Sequence, residues 1–270
     1  MKFKEFLQDH QIPEWAASYV DYKGIKNHVK CVAQYLFPTL TDGTFDEKKI
    51  KAVEAPALLS PLREEFERVE NVREQRRIHE FLVMLDANVQ KVSAFYEDKF
   101  AEVDARFTAL RVDRYKRKEG AVDHGASMMA SSKADVRAHL TPYQIEWLDL
   151  FNEVDHLRDF CKLNFTAFVK GLKKWDKNTR IPLQEEYCEW IEASQPFYKD
   201  SSCIEDLQGE LEVVYSQLFC AGDVSRAAQI LSEYSRGATQ ISTLRRTMGG
   251  EGGSNVIAVT RAINWNVTYL

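Results

Sequence analysis

Apolar residues recur every three to four positions along most of this chain, and strand-like alternation is nearly absent. Residues 14–36 predict a helix, with Trp15, Tyr19, Ile25, Val29 and Val32 on its apolar side. Pro13 precedes it, where a proline costs little. Gly24 weakens it, and Pro38 and TDGT (41–44) close it. A long helix is predicted over about 59–117, with a stripe of Leu82, Leu85, Val89, Val92, Tyr96, Phe100, Val103, Phe107 and Leu110. Thr141-Pro142 supplies an N-cap and first-turn proline for a second long helix. Its stripe runs Ile145, Leu148, Phe151, Val154, Leu157, Cys161, Phe165, Phe168, Leu172 and Trp175, and Pro182 marks the break after it. Shorter helices fit 184–193, 202–220 and 224–235, with Ala221-Gly222-Asp223 as a turn.

The period lapses in KEGAVDHGASMMASSK (118–133), a predicted loop, and in TMGGEGGSN (247–255), a predicted flexible stretch. The apolar run IAVTRAINWNVTYL (257–270) reads as a tail that packs on something else, or as the start of a following domain. The predicted fold class is all-α: an N-terminal helical hairpin packed on a bundle with two long antiparallel helices, plus short C-terminal helices.

Composition narrows the function. The 270 residues are 44% hydrophobic, enough for a sizeable core. Thirty-six Lys and Arg against 41 Asp and Glu give 36 − 41 = −5, which argues against broad nucleic-acid binding but leaves room for a local basic pocket. Five scattered cysteines form no CxxC and no ligand spacing, as expected of reduced thiols in the cytoplasm. No signal-peptide core and no run of about 18 apolar residues is present, so no membrane span is expected. The patterns GxxxxGK[ST], GxSxG and HExxH are missing, and His10, His28, His79, His124, His139 and His156 show no metal spacing. His156 reads as a core-edge or surface residue, and Glu64/Glu65 and Glu185/Glu186 as solvated faces. No cofactor, metal site or catalytic set is expected.

Two lysine sets stand out. Tyr22, Lys26 and Lys30 are spaced i, i+4, i+8 on one helical face, with Lys23 near its edge. Acidic partners at i±4 are missing, so these charges repel one another. In FVKGLKKWDKNTR (168–180), Lys170, Lys173, Lys174 and Lys177 fall within a sector of about 100°. Four lysines and Arg180 against Asp176 give 5 − 1 = +4 there. Either set alone is a solvated face or a complement to a helix dipole. Together at the ends of two packed helices they would surround a ligand carrying several phosphates.

The residues MKFKEFL…IPEWAASYVDYKGIKNHVK and LNFTAFVKGLKKWDKNT (163–179) resemble the two signatures of SPX domains, and the resemblance covers about residues 1–220. It implies a phosphate-status sensor that binds inositol hexakisphosphate or inositol pyrophosphates and regulates an attached or separate protein effector. It implies that Tyr22, Lys26 and Lys173 form the phosphate-binding cluster, beside a lysine surface of Lys170, Lys174 and Lys177. Lys23, Lys2 and the amino terminus of Met1 would lie at the rim, with Asp176 and Asp21 orienting lysines. Ala167, Val169 and Asn27-His28 depart from the family's usual Gly, Arg and second lysine, which bears on ligand preference. Residues 221–270 would be a helical extension leading to an effector domain. The expected location is the cytoplasm, or the cytosolic face of a membrane if the chain is part of a transporter. The competing readings are a coiled-coil oligomerisation module without ligand sensing, and the N-terminal fragment of a phosphodiesterase or phosphate transporter.

Overall fold

A computed structural model describes residues 3–36, 72–118 and 140–248. Helix α1 spans Phe3–His10, followed by a 3-10 turn at Pro13–Ser18 and helix α2 at Tyr22–Leu36. The two long helices are α3 (Val72–Lys118) and α4 (Pro142–Thr179). Helices α5 (Gln184–Ser194), α6 (Pro196–Lys199), α7 (Ser201–Phe219) and α8 (Val224–Met248) complete the described chain. Among the described residues there is no strand, and the fold is an all-α bundle.

The long helices run antiparallel. Phe81 near the start of α3 stacks on Trp175 near the end of α4, with centroids 4.1 Å apart. Phe107 near the end of α3 meets Trp147 near the start of α4, edge to face at 6.0 Å. The α3 stripe is spent inside the chain: Leu82, Leu85, Val89, Val92, Tyr96, Val103 and Phe107 are buried. A bundle needs such a seam as much as a coiled coil does, and here α2 and α4 cover it.

Helix α4 begins where local chemistry predicts. Thr141 Oγ1 accepts from the Gln144 N–H, and Gln144 Oε1 accepts from the Thr141 N–H, a reciprocal capping box ahead of Pro142. Other boundaries differ from expectation. The single helix predicted over 14–36 is two elements, because side chains from α3 and α4 take the backbone groups between them. Helix α8 runs on to Met248, past the expected end at 235 and into the start of the stretch expected to be flexible. Helices α1 and α6 carry too few turns to show a period. Residues 59–71, 119–133 and 249–270 lie outside the described residues.

Helix α8 shares the core, with Ala227 and Leu231 buried. It is tied to α4 at two points: Tyr234 Oη donates to Asp149 Oδ1 at 2.5 Å, and Ser235 Oγ to Asp155 Oδ2 at 2.7 Å.

Candidate functional site

The first lysine set is built on the start of α2. Asp21 is its N-cap: Oδ1 accepts from the Gly24 N–H at 2.8 Å, and its carbonyl accepts from the Ile25 N–H at 3.0 Å. A Cβ on Gly24 would sit 2.5 Å from Asp21 Oδ2, a contact that rotation of that carboxylate relieves. Tyr22 is buried with its ring edge-on to Phe3 at 4.9 Å, and burial pushes its hydroxyl above the ordinary 10.0. It stays a neutral phenol, able to donate to an anion. Lys23 and Lys30 are exposed and Lys26 is half-buried. Met1 and Lys2 lie outside the described residues; Phe3, the first described, is the one on Tyr22.

The second set lies on the last turns of α4. Trp175 is fully buried on Phe81, which sets the helix's rotation about its axis. Phe168, Gly171 and Leu172 are buried with it, so Lys170, Lys173, Lys174 and Lys177 are left exposed on the opposite side. Among the described residues these four make no ion pair, so no carboxylate there neutralises them.

Asp176 points elsewhere. After Arg180 turns the chain in a left-handed conformation (φ 60), the backbone returns to the Asp176 carboxylate. Oδ1 accepts from the N–H groups of Leu183 at 3.0 Å and Gln184 at 3.2 Å, capping α5 where Leu183 offers no side-chain acceptor. Burial pushes this carboxyl above 3.8, against the lowering by those two N–H groups. The carboxylate expected to orient lysines holds the turn behind them.

The two sets meet at a close crossing. A Cβ on Gly171 would lie 2.7 Å from Ile25 Cγ2, so the two helices approach closer there than any other residue would allow. Gly171 lies about 60° round α4 from Lys174 and about 100° from Lys170, whereas Lys173, expected in the central cluster, lies about 160° away. Ile25 lies between Lys23 and Lys26, and Tyr22 is one turn before it. Tyr22 and Lys26 of α2 are thus brought within about one turn of the contact that Lys170 and Lys174 flank on α4.

Sequence reading missed the residues that set this crossing. Asn88 on α3 and Asn164 on α4 are buried, and their Oδ1 atoms accept from the Asp21 and Val20 N–H groups at 2.8 and 2.9 Å. Lys91 Nζ donates to the Tyr19 carbonyl at 2.5 Å. The available signal was an asparagine on the buried side of each long helix, where an unpaired amide would be costly.

Comparison with known proteins places this arrangement. The family model for the SPX domain matches residues 1–54. The ankyrin repeat protein nuc-2 of Neurospora crassa is 30% identical over 201 residues, which is 73% of this chain and 16% of that protein. Glycerophosphocholine phosphodiesterase GDE1 of Eremothecium gossypii is 24% identical over 212 residues, 69% of this chain and 16% of its own length. The chain thus spans about a sixth of these relatives. A solved structure with a similar fold is the SPX domain of Chaetomium thermophilum glycerophosphodiester phosphodiesterase 1 in complex with inositol hexakisphosphate. It has a TM-score of 0.50 and 23% identity, and the match covers 86% of this chain and 99% of that one.

Proposed function

Because this chain belongs to the SPX domain family, we propose that it is a phosphate-status sensor that binds inositol polyphosphates and pyrophosphates where α2 crosses α4. The observation that carries this reading is the Gly171–Ile25 contact, which joins two lysine sets lying far apart in sequence. Tyr22, Lys26 and Lys174, the α4 lysine nearest the crossing, hold the phosphates at the centre. Lys170, Lys173 and Lys177 form the neighbouring surface, and Lys23, Lys2 and the Met1 amino group the rim. Each ammonium–phosphate contact is a charge-assisted hydrogen bond of about 1.5–3 kcal/mol before screening. Several such contacts also relieve repulsion among the lysines, which is strongest when the site is empty.

The domain is regulatory rather than catalytic, and it acts on an effector carried by the same polypeptide or by a separate protein. Residues 1–220 form the sensor, and α8 begins the connection onward. Its two ties to α4, at Asp149 and Asp155, join it to the helix that carries the lysines. Among the described residues no helix is long and apolar enough to cross a membrane, and we place the domain on the cytosolic side.

Calorimetric titration of inositol hexakisphosphate and a pyrophosphorylated analogue into the wild type, Lys26→Ala and Lys174→Ala tests this. Each substitution is expected to weaken binding about tenfold or more, and binding should fall steeply with salt. Equal affinity in all three proteins overturns the site.

A further inference from the structure

We infer that Asn88 and Asn164 are positioning residues for the phosphate site: they hold the start of α2 from two sides, and so fix the spacing of Tyr22 and Lys26 from the lysines of α4. The inference rests on the ligand reading above.

Three consecutive residues, Tyr19, Val20 and Asp21, join the 3-10 turn to α2. Each gives a backbone group to a side chain on a long helix: the Tyr19 carbonyl to Lys91, the Val20 N–H to Asn164 and the Asp21 N–H to Asn88. The asparagines are themselves held. Asn88 Nδ2 donates to the Met84 carbonyl at 2.8 Å, and Asn164 Nδ2 to the Phe160 carbonyl at 2.7 Å. Those bonds aim both Oδ1 atoms at the joint. An asparagine is a poor helix former and a costly buried group, and here the cost is offset by a hydrogen bond at both the oxygen and the nitrogen of each amide.

The placement ties this pairing to the site. Asn164 and Gly171 lie on one helix about 10 Å apart. Asn164 holds Val20 and Gly171 receives Ile25, so α2 is located on α4 at two points. Asn88 locates the same joint from α3 through Asp21, the residue that caps α2. Two points on one rigid helix set both the position and the tilt of α2. A ligand with several phosphates in a fixed ring responds to that spacing, because each charged contact needs its own geometry.

Asn88→Leu and Asn164→Leu keep side-chain shape and remove the acceptor. Each would be made alone and with Lys26→Ala, checked for folding by circular dichroism, and titrated with inositol hexakisphosphate at fixed salt. Each leucine variant is expected to bind about tenfold more weakly than the wild type. With Lys26 already alanine, the same change should cost severalfold less than in the wild type, because one of the two residues being positioned is gone. Should one leucine variant not fold, the other gives the same readout from the opposite helix. A folded variant within about twofold of wild type, or an equal loss in both backgrounds, overturns the inference while the site stands. A wild type that does not bind inositol hexakisphosphate overturns the ligand reading and this inference with it.

Discussion

Ile25 fills the space in which a side chain on Gly171 would lie: a Cβ there would come within 2.7 Å of Ile25 Cγ2. Gly171→Ala must therefore shift α2 off α4 or distort Ile25. Overpacking of this kind costs about 1–3 kcal/mol. The gain in helix propensity returns about 1 kcal/mol, so a modest net loss is expected in chemical denaturation. In an Ile25→Ala background, where the methyl is gone, the glycine change should cost nothing. Equal losses in both backgrounds would show that the two residues do not compete for one space.

The lysine face and the Asp176 carboxylate separate by substitution. Asp176→Ala removes the cap of α5 and should lower stability by about 1 kcal/mol. Affinity for inositol hexakisphosphate should hold or rise, since a negative charge leaves a cationic surface. Asp176→Asn keeps an acceptor for Leu183 and Gln184 and should be milder. A tenfold loss of affinity at unchanged stability would instead assign Asp176 to the lysines.

Much of this fold is legible in the sequence, and the exceptions share one cause. Thr141-Pro142 and Gln144 announce the start of α4 because a capping box is local chemistry. The stripes of α3 and α4 announce a bundle because their periods are long. The break between Ser18 and Tyr22 is hidden by the period: Trp15, Tyr19, Tyr22 and Ile25 step by threes and fours across it, and the N-cap Asp21 is its one local sign. Across the break the distant side chains of Asn88, Asn164 and Lys91 take the backbone groups. The site divides the same way. Its lysines show by spacing and by resemblance to a family, whereas the roles of Gly171 and Asp176 depend on what lies across from them in space.

Stability should be greatest near neutral pH. Burial pushes the Tyr19 hydroxyl from 10.0 to about 12 and the Cys188 thiol from 9.0 to about 12. Tyr96, Tyr215 and Cys161 shift upward for the same reason. Folded values above unfolded ones mean that the native state holds protons the unfolded chain releases. That stabilisation is whole below about pH 9 and is lost as pH rises toward 12. Burial holds His28 and His156 below 6.5, so their contribution is present above that value and is lost as pH falls. Melting temperature should be flat between about pH 7 and 8.5 and fall on both sides. A rise from about pH 8.5 to 10.5 would contradict the burial of these groups.

The amino terminus offers a simple comparison. Phe3 lies on Tyr22, so a tag fused ahead of Met1 begins beside the phosphate cluster. It should weaken binding of inositol hexakisphosphate severalfold without changing melting temperature. Equal affinity for tagged and cleaved protein would remove Met1 and Lys2 from the rim.

A structure of this chain with inositol hexakisphosphate bound would be decisive. Phosphate oxygens are expected within about 2.7–3.2 Å of Tyr22 Oη, Lys26 Nζ and Lys174 Nζ at once, with Lys170, Lys173 and Lys177 beside them. Ligand density on only one of the two helices, or away from the Gly171–Ile25 crossing, would show that the two lysine sets do not form one site.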